Sequence, residues 1–367
     1  MARHWVTARQ TKMNRDHKSK SVESLISDWE MRTLQWQDGV LVLTPDWDYP
    51  HQVIAIDEMM HALGKTRSVL FDVGFRGTAK LKRLVISPLG NRFLDCLGYD
   101  IRGIEDGFSK HKLSPYVSLL SKHLSGRGYP ARSSLSVHNV AEFNRWVEEI
   151  REEIRQAGFG KAIDNQLRSM RKNAASLLGY LSALRELYAR LLVVRLDLGY
   201  LRVFRKDGPE IDPVTVKDHW EKLYWYLNKN FPSLVGFVWK LEYGVFKSYH
   251  YHVILFFDGN EVREDVTLGE RIGEEWKRNI TGGSGSYWNC NARKEQFERM
   301  GRLGIGDIRH DDADSWANLE RAALYLVKVD WYVRLNAPGV GRTFGRGALP
   351  APRKDRRGRP RRGVCSP

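Results

Sequence analysis

The chain has 367 residues, enough for two or three folded units, and 42% of them are hydrophobic and 11% aromatic, which excludes a mostly disordered chain. No apolar run approaches the roughly 18 residues of a membrane-spanning helix. The first twenty residues lack the apolar stretch of a secretory signal, and Cys96, Cys290 and Cys365 are too few and too scattered for a disulfide framework or a zinc site. These features predict a soluble intracellular protein with no membrane partner.

Charge is concentrated at the ends. The net charge is +15, from 59 Lys+Arg against 44 Asp+Glu. Residues 1–20 carry six Lys/Arg and one Asp, and residues 337–367 carry nine Lys/Arg and one Asp, so the body of the chain is nearly neutral. Basic arms around a neutral body suit a phosphate backbone. Arg353, Lys354, Arg356, Arg357, Arg359, Arg361 and Arg362 are accordingly the candidate nucleic-acid contacts of the tail. The plainer alternative is that the tails serve solubility alone.

After the basic arm 1–20, residues 21–135 alternate short apolar runs (GVLVLT at 39–44, RLVISPL at 83–89) with turn residues, which predicts a small mixed domain. Residues 136–190 have apolar residues at helical spacing and predict a connector of two helices broken at Gly158 and Gly160.

Residues 191–336 read more sharply. LLVVRLDL (191–198) predicts a strand, followed by a turn with Gly208 and Pro209. A helix over 214–230 places Trp220, Leu223, Tyr224 and Leu227 on one face and ends at Pro232. SLVGFVWKLEYG (233–244) and YHYHVILFFDG (249–259) predict two strands joined by a turn at Lys247 and Ser248. A helix over about 265–279, a glycine-rich loop TGGSGS (281–286), a short strand near 304–310 and a last helix near 315–334 complete the series. The order β-α-β-β-α-β-α predicts an α+β fold with a split βαβ (ferredoxin/RRM-like) antiparallel sheet carrying helices on one side. Pro338 marks the predicted end of the folded part, leaving 337–367 as a disordered basic tail.

His250 and His252 stand two apart on a predicted strand, so both imidazoles project to one face. Such a pair can clamp a divalent metal, although chance alone supplies about 0.3 such pairs in a chain with this histidine content, and a paired histidine can also be structural. A hairpin turn would bring Glu242 of the preceding strand to the same face; the plain reading of Glu242 is a solvated strand-end acid. Carboxylate plus imidazoles suits Mg²⁺ or Mn²⁺ when substrate oxygens complete the shell. Asp307 and His310, around the short strand, are the alternative ligands. Tyr325 and Lys328 lie three apart on the last helix and hence on one side of it. A tyrosine near a metal-polarised phosphate can act as a covalent nucleophile, and a neighbouring lysine can neutralise the phosphate. In isolation, the Tyr of a Tyr-x-x-Lys is more often a core residue.

A hydrophobic strand carrying His-x-His, an acid on the preceding strand and Tyr-x-x-Lys on a later helix resemble the HUH endonucleases. WKLEYGVFKSYHYHVILFF followed by ALYLVK is most similar to the filamentous-phage (inovirus) rolling-circle replication initiators and the related YagK/YfjJ C-terminal domain family. The resemblance covers 191–336. It implies an endonuclease and strand transferase of the bacterial cytoplasm, acting on single-stranded or supercoiled origin DNA with a host helicase and polymerase. His250, His252 and Glu242 would be metal ligands. Tyr325 would attack the phosphodiester to leave a 5′-phosphotyrosine and a free 3′-hydroxyl, and Lys328 would position the phosphate or metal. Residues 21–135 would then be left for origin recognition. Two departures stand out. Tyr251 replaces the usual aliphatic residue between the histidines. A second tyrosine one turn from Tyr325 is absent, the positions being Arg321 and Val329, so Tyr332, two turns on, is the candidate second acceptor. The rival reading is a non-catalytic nucleic-acid-binding or regulatory protein on the same fold.

Overall fold

The computed structural model describes residues 35–37, 40–42, 48–76, 81–125, 134–201, 211–244, 248–299, 301 and 303–350. The basic arm 1–20, the turn residues Gly208, Pro209 and Lys247, and the tail cations from Arg353 to Arg362 lie outside the described residues. The chain forms two compact units: Met1–Leu167 with Trp331–Val333, and Arg168–Asp330 with Arg334–Pro367.

The first unit is mixed and mostly helical. A short antiparallel pair, β1 (Gln35–Gln37) and β2 (Val40–Val42), precedes α1 (Tyr49–Lys65). Val53, Ile56, Met60 and Leu63, spaced three and four apart, give α1 its buried stripe. A hairpin of β3 (Phe71–Arg76) and β4 (Leu81–Ile86) follows, then α2 (Pro88–Leu97), α3 (Ile101–Gly107), β5 (His111–Leu113), α4 (Pro115–Ser125) and α5 (Val140–Arg155). Ser87 starts α2 by accepting a hydrogen bond from Gly90 N, and Asp100 starts α3 by accepting one from Gly103 N. Phe71, Phe93, Phe143 and Trp146 pack edge to face at centroid distances of 5.3 to 6.3 Å and knit the hairpin base to α2 and α5.

The long helix α6 (Ala157–Leu187) follows directly. The break before it falls at Gln156, whose backbone is extended, and not at Gly158 or Gly160, which lie inside the first turn of α6.

The second unit is built on one antiparallel sheet: β6 (Arg190–Tyr200), β7 (Leu234–Gly244), β8 (Ser248–Asp258), β9 (Gly285–Asn289), β10 (Gly306–Arg309) and β11 (Phe344–Arg346). Between them lie α7 (Pro213–Asn230), α8 (Asp265–Glu275, continuing as a π turn over Trp276–Ile280), α9 (Lys294–Arg299) and α10 (Ala313–Lys328). The strand order is β10-β6-β8-β7-β11, and β9 shares the outer edge of β6 with β10. β10 pairs with Arg190–Val193 and β9 with Leu196–Tyr200.

Helices cover both faces of the sheet, which corrects the expectation of one covered side. On one face Leu196, Leu198, Tyr251 and Val253 pack with Val216, Leu223 and Leu227 of α7 and Ile272 of α8. On the other, Leu191, Val193, Val238, Ile254 and Phe256 pack with Leu177, Tyr180 and Leu184 of α6 and Trp316, Leu319, Ala323, Leu326 and Val327 of α10. A strand buried on both faces needs no alternation, which is why 253–257 reads as a continuous apolar run.

Three further expectations change. Folded chain continues past Pro338, because β11 closes the edge of β7 and Val340 and Phe344 are buried; Gly345 lets the Trp239 ring approach where a Cβ would meet it at 2.5 Å. The end of TGGSGS belongs to β9. The last helix stops at Lys328 and passes into a 3₁₀ turn (Val329–Trp331), so Tyr332 does not continue the helical face of Tyr325. Among the described residues no helix is long and apolar enough to cross a membrane.

Candidate metal centre

The hairpin of β7 and β8 sets Glu242 directly opposite His250, and Lys240 opposite His252. Direct antiparallel partners share a face, and this face is the one that α6 and α10 cover further along the strands. Glu242, His250 and His252 offer ligand atoms that all lie within 4.8 Å of one another. Glu242 Oε2 is 3.2 Å from His252 Nε2 and 3.7 Å from His250 Nε2. The three residues named from the sequence as the metal set are therefore brought together.

Both rings are pinned from behind. His250 Nδ1 lies 3.0 Å from the carbonyl of Ser248, which can only accept, so Nδ1 donates. Ser248 itself adopts a left-handed backbone (φ 55°) at the start of β8, which turns that carbonyl toward the ring. His252 Nδ1 donates to the Asp197 carboxylate at 2.5 Å. With each Nδ1 donating behind the ring, it is the two Nε2 atoms that converge on the Glu242 carboxylate. Two imidazole lone pairs and a carboxylate facing one another repel unless a cation stands among them, either a shared proton or a metal ion. Histidine ligands held by a carboxylate or carbonyl through the other ring nitrogen are the usual support of a metal site.

Asp197 was not singled out in the sequence. The available signal was an acid inside the largely apolar run 191–198, in a strand with little exposure. Lys240 was missed for the same reason. It is 1% exposed and paired with Asp330, in the 3₁₀ turn that follows α10. The pair ties the C-terminal end of α10 to the sheet row of His252.

The row extends further. Asp197 pairs with Trp288 on β9, so Trp288, Asp197, His252 and Lys240 follow one another across four strands on one face. Trp288 is 42% exposed, and the Arg293 guanidinium lies 5.5 Å from its ring centroid. Arg195 lies on the same face, its Nε 4.0 Å from Asp197. An open indole and two guanidiniums thus border the histidine cluster.

The remaining candidates lie elsewhere. Asp307 pairs with Leu192, five residues along β6 from Asp197, and is held by Arg190 through two contacts of 2.5 and 2.9 Å. His310 bonds Ala189 O through its backbone N–H. Neither joins the cluster, so Glu242 is its acid. Tyr325 and Lys328 sit on α10, which meets the sheet through Trp316, Leu319, Ala323, Leu326 and Val327. At 100° per residue Tyr325 stands on the opposite side of the helix from that stripe, and it is 5% exposed. Burial, and then Arg321, lowers the pKa of Lys328 from its ordinary value. Burial raises that of Tyr332.

Residues 160–347 match the family model of the YagK/YfjJ C-terminal domain. No curated protein and no solved structure matches the chain. The matched span contains the whole six-stranded sheet, the histidine cluster and α10, and it ends one residue after β11. With just over half its length in that match, the chain belongs to the YagK/YfjJ C-terminal domain family.

Proposed function

We propose that this protein is a metal-dependent DNA endonuclease and strand transferase that nicks a phage or prophage origin to start rolling-circle replication. The observation that carries the reading is the convergence of two back-pinned imidazoles and Glu242, an arrangement that calls for a cation. The strand order β9-β6-β8-β7, with β8 antiparallel between β6 and β7, agrees with the split βαβ layout of the HUH endonucleases.

In this reading His250, His252 and Glu242 hold Mg²⁺ or Mn²⁺, of which the two imidazoles favour Mn²⁺. The ion when bound polarises the scissile phosphodiester. Asp197 keeps His252 in the liganding tautomer. Trp288 stacks an unpaired base, and Arg195 and Arg293 neutralise flanking phosphates. The Tyr325 oxygen attacks phosphorus, the bond to the 3′-oxygen breaks, and that oxygen leaves as a 3′-hydroxyl after taking a proton. The product is a 5′-phosphotyrosine, with Lys328 beside it to offset charge. Because Tyr325 faces away from the sheet, its attack requires the C-terminal end of α10, anchored by Lys240–Asp330, to rearrange when the strand enters.

The position of Tyr325 favours the second reading, a nucleic-acid-binding or regulatory protein that uses the same fold without covalent chemistry. Calorimetric titration with Mn²⁺, followed by cleavage of labelled oligonucleotides, separates the two. Binding lost in His250→Ala and His252→Ala together with metal-dependent cleavage supports the nuclease. Cleavage that persists in both variants, or none on any origin strand, removes it.

A further inference from the structure

We propose that the β3–β4 hairpin of the first unit is a duplex-DNA-binding ribbon that enters the major groove. The inference is independent of the metal centre. Among the described residues the hairpin is anchored at its base. There Phe71 is fully buried, and the Asn144 side chain bonds both backbone groups of Phe71, donating to its carbonyl at 2.7 Å and accepting from its N–H at 3.3 Å. Asn144 so acts as a substitute third strand, and a Ser87 N–H bond of 2.9 Å to Leu70 O closes the base.

Beyond that anchor the ribbon becomes more exposed, Val73 and Leu84 being half-buried and the residues toward the tip exposed. Asp72 with Val85, Gly74 with Arg83 and Arg76 with Leu81 are direct partners on one face, exposed except for the half-buried glycine. On the other face exposure grows from Phe71 to the Phe75–Lys82 pair at the tip. Phe75 is 64% exposed and Leu81 68%. A two-stranded ribbon standing alone is marginally stable in water, and large exposed apolar side chains on it mark a contact surface.

Charge identifies the partner. Arg76, Lys82 and Arg83 are exposed around the tip, and residues 73–86 contain no acidic side chain. Six residues per strand extend about 20 Å, and a major groove about 12 Å wide admits a two-stranded ribbon. The cations meet phosphates on the groove walls, while Phe75, on the face it shares with Lys82, contacts base edges and thymine methyls.

The test is a salt titration of full-length protein against a short labelled duplex by fluorescence anisotropy, with the R76A/K82A/R83A variant alongside. The variant is expected to bind about tenfold or more weakly and to show a salt slope shallower by about 0.9 per lost phosphate contact. Phe75→Ser, with every cation kept, is expected to weaken binding while leaving the slope unchanged. Circular dichroism verifies that the variants fold. Unchanged duplex affinity and slope in the triple variant would overturn the proposal, and so would a loss confined to anionic vesicles. Oligonucleotide cleavage by the same variant reads the metal centre separately.

Discussion

Asp197 and His252 are direct partners across β6 and β8, and the Asp197 carboxylate accepts the Nδ1 proton of His252 at 2.5 Å. This contact fixes which nitrogen of His252 faces Glu242. It follows that Asp197→Ala, which removes no ligand, should still weaken Mn²⁺ binding by about 10- to 100-fold. Isothermal titration reads this directly. Wild-type affinity in the variant would reduce Asp197 to a structural role.

Lys240 and Asp330 form a buried ion pair. Removing one charge leaves the other buried without this partner, so Lys240→Met alone should cost about 3–5 kcal/mol of stability. The double variant K240M/D330L should cost clearly less than the sum of the two single changes. Urea unfolding of the four proteins measures the coupling, and additive losses would mean that the pair holds nothing together.

Trp288 and Arg293 present a stacking surface beside the histidines. Trp288→Ala should lower affinity for single-stranded oligonucleotides by about 1–3 kcal/mol, and Trp288→Phe should retain most of it. Mn²⁺ affinity should not change in either variant. Filter binding together with metal titration distinguishes a substrate contact from damage to the site.

His219 gives a pH dependence. It is buried and bonded to the Tyr200 hydroxyl at 2.9 Å, and burial, then Lys222, lowers its pKa. The unfolded chain therefore binds more protons around and below the free-histidine value of about 6.5. The contribution to stability is present above that pH and is lost as pH falls through it. Melting temperatures of the wild type should drop between about pH 7.5 and pH 5.5, and His219→Gln should show a flatter profile. Parallel profiles would assign the drop to other groups.

Much of the second unit was legible because its strands differ so sharply from its helices. The parity of His250 and His252 followed from the two-residue period, and the short turn between the apolar runs put Glu242 opposite. The partners Asp197 and Lys240 were not legible, because only the register of the sheet says which charge in an apolar strand faces a histidine. β11 was hidden by composition: a strand of three residues with glycine at its centre, in a basic Gly/Pro-rich segment, is fixed by its partner edge and not by its own propensity. The side of α10 that carries Tyr325 was obscured by reading Tyr325 with Lys328 as a pair, whereas Trp316, Leu319, Ala323, Leu326 and Val327 define the stripe that packs.

The most direct test of the proposed chemistry is incubation of the protein and of Tyr325→Phe with Mn²⁺ and labelled single-stranded DNA from the replicon that encodes it, followed by denaturing electrophoresis. A detergent-resistant protein–DNA adduct that forms with the wild type, disappears in Tyr325→Phe and requires His252 is the expected result. Cleavage without any adduct, or an adduct undiminished by Tyr325→Phe, would contradict covalent catalysis by this tyrosine.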